Sequence, residues 1–259
     1  MFEEVRGTAL RVRRRKAEAG APEVAFIHAL GAGLWAWEGV AERLPRDWGL
    51  TLYDMRGHGL SGGAGPRLAD HAADLLALAP KGAILCGLSI GGQIAMRAAL
   101  DEPGRIRGLV LCATAAKIGD AARYSERAAR VRREGMALFA REQVRRWFSE
   151  GFAAAHPEIV AGARHALSAQ PVEGYTAACA AIGATDLTPD LARLALPCLC
   201  LGGGQDPSTG PDTIRALAAA LPNARAEVLD GVGHLPPVEA PDVVANLIAG
   251  FCAGLHSVP

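Results

Sequence analysis

The chain predicts an α/β fold, with a mainly parallel central sheet flanked by helices and an all-helical cap inserted into it. Three observations carry this. Short apolar runs alternate with amphipathic segments along most of the 259 residues, which is the pattern left when strands are buried on both faces and helices cross between them. Half of the residues are hydrophobic and Lys+Arg balances Asp+Glu at 27 each, so the chain can bury a large core and has no net charge to lose by doing so. The alternation stops at Lys117, gives way to an Ala-, Arg- and Glu-rich stretch with no strand-like run up to about Thr185, and resumes at Cys198.

Taken in order, strands are expected at 9–14, 24–28, 50–53, 83–88, 106–112, 198–202 and 226–229. Most are short apolar runs, and 9–14 alternates apolar residues with arginine. Helices are expected at 35–44, 68–78, 90–100, 211–221 and 241–253, where apolar positions recur at helical spacing. The organisation is therefore a core of residues 1–116 and 186–259 with a helical cap over 117–185. Internal repeats and low-complexity tracts are absent from the sequence.

Composition excludes several functions. Zero net charge argues against a nucleic-acid coat, which would show as a basic excess. The basic residues at 11–16 are not followed by an apolar stretch, so a secretory signal is not expected, nor is a membrane span, which needs ~20 apolar residues. The six cysteines are scattered, lack a CxxC pair and mostly sit in apolar runs. They read as buried thiols of a cytoplasmic protein, with no metal site expected, Cys198 and Cys200 included.

The strongest local signal is Gly87-Leu88-Ser89-Ile90-Gly91, directly after one expected strand and directly before an expected helix. A serine on so sharp a turn needs glycines beside it, because a Cβ there would strike neighbouring backbone, and the turn lifts the hydroxyl above the sheet as a nucleophile. The base in such an architecture follows later in the chain, after the acid. His234, in the loop Gly231-Val-Gly-His-Leu-Pro-Pro past the last expected strand, fits the base. His28 ends an early strand and His58 sits in a glycine-rich turn, while His71, His156, His165 and His256 fall on helical or terminal segments suited to surface roles. Asp206, after the strand that ends near Leu201, fits the orienting acid. It is preferred to Asp230, whose short loop is shared with His234. The oxyanion donors are expected to be the backbone N–H of Ile90 and that of Leu30, in the loop after the strand at 24–28.

That loop carries a rival signal. Gly31-Ala-Gly33-Leu-Trp-Ala36 matches a dinucleotide fingerprint, with Asp54 near the position of a ribose-binding acid. Against it, Trp35 and Trp37 crowd the helix start where a pyrophosphate would approach, and Asp54 lies in the tight polar turn Asp54-Met-Arg-Gly-His-Gly-Leu-Ser.

Together the 53–61 turn, the serine turn, the Asp206 loop and the His234 loop resemble the α/β-hydrolase superfamily over nearly the whole chain. The segments at 111–119, 131–136, 146–148 and 173–175, leading into and forming the cap, are similar to those of 3-oxoadipate enol-lactone hydrolases, which serve the β-ketoadipate route of aromatic degradation. The resemblance implies an α/β-hydrolase fold, Ser89 as nucleophile, Asp206 as acid, His234 as base, and no cofactor. It also implies a small anionic lactone as the partner, with neither nucleic acid nor membrane. The substrate carboxylate calls for a cation, and residues 117–150 hold nine basic against five acidic residues. One of Arg130 and Arg133, a helical turn apart, is expected to bind it, with Trp147 as apolar wall. Competing readings are a carboxylesterase of the same fold acting on a neutral ester, and a hydrolase-fold receptor that binds a small molecule without turning it over.

Overall fold

The structure is a computed structural model that describes residues 1–256. The surface role expected for His256 concerns a side chain outside the described residues. The strands are β1 (Phe2–Val5), β2 (Thr8–Arg15), β3 (Glu23–Ile27), β4 (Gly49–Tyr53), β5 (Ile84–Leu88), β6 (Gly108–Cys112), β7 (Cys198–Gly203) and β8 (Ala224–Leu229). They form one sheet in the order β1-β2-β4-β3-β5-β6-β7-β8. The first two pairings are antiparallel and the rest parallel. β4, β5, β6 and β7 are buried at every residue, which is why they read as unbroken apolar runs.

Helices α1 (Trp35–Arg43), α2 (Leu68–Leu78), α3 (Ile90–Asp101), α9 (Pro211–Ala220), α10 (Pro236–Glu239) and α11 (Pro241–His256) follow the parallel strands. Between β6 and β7 the described elements are all helical: α4 (Ala121–Glu134), α5 (Met136–Gln143), α6 (Glu150–Ala155), α7 (Pro157–Ser168) and α8 (Val172–Gly183), with 3-10 turns at Val144–Arg146 and Thr188–Arg193. The insertion leaves and returns at one point, since Leu187 N–H donates to the Ala116 carbonyl at 3.1 Å and Lys117 pairs with Asp186 at 3.1 Å.

Local chemistry explains the boundaries. Asp120 caps α4 by accepting the Arg123 N–H at 2.8 Å, and Gly135, at φ 79°, ends it. Tyr124, Ala128 and Val131 form the buried face of α4, which packs on α8 so closely that Gly183 lies against Ala121. β1 is an addition to the sequence expectation. It is an edge strand of only four residues, FEEV, paired to β2 through a turn with positive φ at Arg6 and Gly7, so neither length nor alternation announces it. Among the described residues no helix is long and apolar enough to cross a membrane.

The parallel strands all point their C-terminal ends at one edge of the sheet, where the loops after β3, β5, β6, β7 and β8 gather beneath the insertion. In open parallel sheets this edge is where ligands bind.

Candidate active site

Ser89 stands between β5 and α3 with φ 58° and ψ −118°, a region that side-chain-bearing residues occupy only when held there. Two bonds to the neighbouring strand end hold it: its N–H donates to the Cys112 carbonyl at 2.9 Å, and the Thr114 hydroxyl donates to its carbonyl at 2.7 Å. The flanking glycines are required by contact. A Cβ on Gly87 would overlap the Gly91 backbone, and one on Gly91 would overlap the Ile27 carbonyl.

His234 and Asp206 are brought together from the loops after β8 and β7, with His234 Nδ1 at 2.8 Å from Asp206 Oδ2. The same oxygen accepts the Thr209 hydroxyl at 2.7 Å, and Oδ1 accepts the Ser208 N–H at 2.7 Å. Burial alone would raise the Asp206 pKa. The His234 hydrogen bond and charge, then Thr209 and Ser208, outweigh it and leave the carboxyl below its ordinary value. An ionised Asp206 accepting at Nδ1 puts the imidazole proton on that nitrogen and frees Nε2 to act as a base. Asp230 is exposed and takes no part. Thr209 and Ser208 as supports for Asp206 were not anticipated, since neither has a distinctive sequence signal.

Leu30 lines the same cavity as Ser89 and His234, and Ile90 is the first residue of α3. Among the described residues neither amide donates to a protein acceptor. First-turn and tight-loop N–H groups of this kind are the ones a helix start leaves open. The contact of Gly91 with the Ile27 and His28 carbonyls is what brings the two loops side by side.

The cavity has a volume of about 50 Å³ and includes Arg123, Arg127, Gln143, Trp147 and Ile182 in its wall. Trp147 is thus where the sequence reading put it. Arg130 and Arg133 are not in this wall; Arg130 lines the adjoining outer pocket instead. The Arg130 guanidinium is held by Glu134 and Glu142, each at 2.7 Å, and Arg133 is largely exposed and pairs with Glu134 at 2.8 Å. The reason is helical phase: at about 100° per residue, Arg133 lies roughly opposite Tyr124 and the buried face of α4, whereas Arg127 flanks that face. Arg127 lies over the rings of Tyr124 and Phe139, 5.2 and 5.9 Å from their centroids. It has no carboxylate partner among the described residues. An outer pocket of about 310 Å³ shares Arg123, Arg127 and Gln143 with the cavity, so these three side chains form the partition between the two.

The dinucleotide signal has a different explanation. Asp54 is 1% exposed and accepts the Leu34 N–H at 2.8 Å and the Leu60 N–H at 3.1 Å, so its carboxylate anchors the start of α1 and its own turn. The space over Gly31 is filled by Leu167 and Tyr175 from the insertion. His71 corrects another expectation: it is buried on α2, with Nε2 2.9 Å from the Gly65 carbonyl. His28 is also buried, and its two ring nitrogens are bonded to Ala29 O and the Met55 N–H. Burial pushes its pKa down to about 4 and that of His58 down to about 3. His156 and His165 are exposed. Among the described residues no cluster of His, Cys, Asp or Glu is arranged to hold a metal ion, and all six cysteines are buried and unbridged.

Comparison with known proteins bears on the family and the fold. The profile described as Alpha/beta hydrolase family matches residues 24–247. The chain is 34% identical over 238 residues to 3-oxoadipate enol-lactonase 2 of Acinetobacter baylyi, covering 89% of this chain and 88% of that protein. It is 30% identical to the pimeloyl-[acyl-carrier protein] methyl ester esterase of Edwardsiella ictaluri, covering 91% of this chain and 95% of that protein. Among solved structures, the enol-lactonase from Burkholderia xenovorans superposes with a TM-score of 0.92 at 31% identity, covering 98% of this chain and 100% of that one.

Proposed function

This chain belongs to the α/β-hydrolase family, and from that premise we propose that it is a carboxylic ester hydrolase that opens 3-oxoadipate enol-lactone to 3-oxoadipate through an acyl-enzyme on Ser89. The observation that carries the reading is one cavity lined by Ser89, Leu30 and His234, with His234 bonded to a buried Asp206 at 2.8 Å.

The chemistry follows from those positions. His234 Nε2 takes the Ser89 hydroxyl proton as Oγ attacks the lactone carbonyl, and the Leu30 and Ile90 N–H groups stabilise the negative oxygen that forms. The bond from the carbonyl carbon to the ring oxygen then breaks, the ring oxygen receives the proton from His234, and the enol so released becomes a ketone. That tautomerisation draws the ring opening forward. A water deprotonated by His234 attacks the acyl-enzyme, and Ser89 leaves with its proton restored.

A lactone bearing a carboxylate needs a fixed cation, and Arg127 supplies it in this reading. It borders the cavity, pairs with no acid among the described residues, stays charged at any working pH, and forks to match a carboxylate. The cavity shares Arg123, Arg127 and Gln143 with the outer pocket, so in this reading substrate passes these three side chains on its way to Ser89.

The likeness to a methyl ester esterase supports a second reading, an esterase for uncharged acyl groups. Progress curves on the enol-lactone and on p-nitrophenyl esters separate the two. Repeated turnover with a preference for the lactone supports the first reading, preference for neutral esters the second, and one burst without turnover overturns both.

A further inference from the structure

Beside His234 lies a carboxylate that the proposed chemistry does not use. Glu239, half-buried at the end of α10, accepts the Gly233 N–H at 3.0 Å, and its Oε2 accepts the Ser149 N–H at 3.2 Å and the Ser149 hydroxyl at 2.6 Å. Gly233 immediately precedes the base. Ser149 belongs to the insertion, two residues past the cavity wall residue Trp147, whose carbonyl accepts the His234 N–H at 3.0 Å. The two segments touch so closely that a Cβ on Gly233 would lie 2.6 Å from the Ser149 nitrogen and 2.8 Å from the Phe148 carbonyl carbon.

We propose that Glu239 is a positioning residue for His234, its carboxylate locking the insertion segment 147–149 to the loop that carries the base. The inference rests on the reading of His234 as the base. Three donors converge on one side chain, and only a carboxylate offers acceptors on both oxygens; an amide would turn a donor toward at least one of them. Packing alone does not explain an acid here. Among the described residues no Lys or Arg pairs with Glu239, and burial, with the nearby charge of Asp206 adding to it, raises its pKa against the pull of the Ser149 and Gly233 bonds. The lock acts on two things at once. It sets the loop that aims the imidazole at Ser89, and it keeps Trp147 against the cavity.

The test compares Glu239→Gln and Ser149→Ala with the wild type in two measurements: steady-state hydrolysis of p-nitrophenyl acetate, and amide hydrogen exchange of peptides covering residues 147–152 and 231–236. Loss of a half-buried charged acceptor predicts that Glu239→Gln lowers kcat about tenfold or more while KM stays within about threefold. Both peptides should lose protection together. Ser149→Ala, which removes one of the three donors, should give a smaller change of the same sign, about threefold, and decides the matter if Glu239→Gln does not fold. Wild-type kcat with unchanged exchange in the variants overturns the proposal, as does faster exchange in only one of the two peptides. Should the wild type itself turn over neither p-nitrophenyl acetate nor the enol-lactone, the hydrolase reading falls, and the exchange measurement alone judges the lock.

Discussion

Replacing Arg127 with Met removes the guanidinium that borders the cavity while keeping most of its bulk. The magnitude follows from its surroundings: Arg127 packs over two aromatic rings and pairs with no acid among the described residues, so a bound carboxylate would be its charged partner in a partly dry site. A hydrogen bond to a charged group contributes about 1.5–3 kcal/mol, which corresponds to a loss of roughly 10- to 150-fold in kcat/KM. The loss should fall on the enol-lactone and spare a neutral ester such as p-nitrophenyl butyrate, where kcat/KM should change by less than about threefold. Arg130→Ala serves as the comparison, because Arg130 is already held by Glu134 and Glu142, and both substrates should be hydrolysed as by the wild type. Equal losses on the two substrates in Arg127→Met, or a lactone-specific loss in Arg130→Ala, would refute the reasoning.

Other expectations follow from the same geometry. Asp206→Asn should leave the fold intact but present an amide that no longer selects the Nδ1–H tautomer of His234, lowering kcat by about 10³- to 10⁴-fold in stopped assays; activity within tenfold of wild type would count against Asp206 as the orienting acid. Stability should fall on acidification because His28 and His58 are buried neutral, their rings 5.4 Å apart. The unfolded chain takes up these protons near 6.5, the folded chain only near about 4 and about 3. Stability is therefore full above pH 6.5 and drops below it, by at most about 1.4 kcal/mol per pH unit for each histidine, until the folded values are reached. Thermal melts from pH 7.5 to 4.5 should record this, with a shallower slope for His58→Asn; a flat Tm over that range would disprove it.

What could be read from sequence, and what could not, divides along physical lines. The central strands and the glycine-flanked serine were legible because burial on both faces forces unbroken apolar runs, and a strained turn forces glycine at Gly87 and Gly91. The convergence of the loops carrying Asp206, His234 and Leu30 was legible because strand ends fix where loops meet. That Arg127 borders the cavity was not legible, since nine basic residues crowd 117–150 and their types alone do not tell which faces inward. The helical phase set by Tyr124, Ala128 and Val131 holds that information, and it separates Arg127 from Arg133. His71 was misjudged because a helix with an exposed side also has a buried one, and a histidine suits either when its ring nitrogen finds a carbonyl. Glu239 and Thr209 make their hydrogen bonds to distant or adjacent loops, contacts that no local pattern encodes.

The central claim is that Ser89 carries the acyl group during lactone opening. Intact-protein mass spectrometry on samples quenched during turnover of 3-oxoadipate enol-lactone tests it most directly. A transient adduct with the mass of the opened lactone is expected, mapping to the peptide that contains Ser89, with no adduct and no turnover in Ser89→Ala. Turnover retained by Ser89→Ala, or an adduct mapping to another residue, would contradict it.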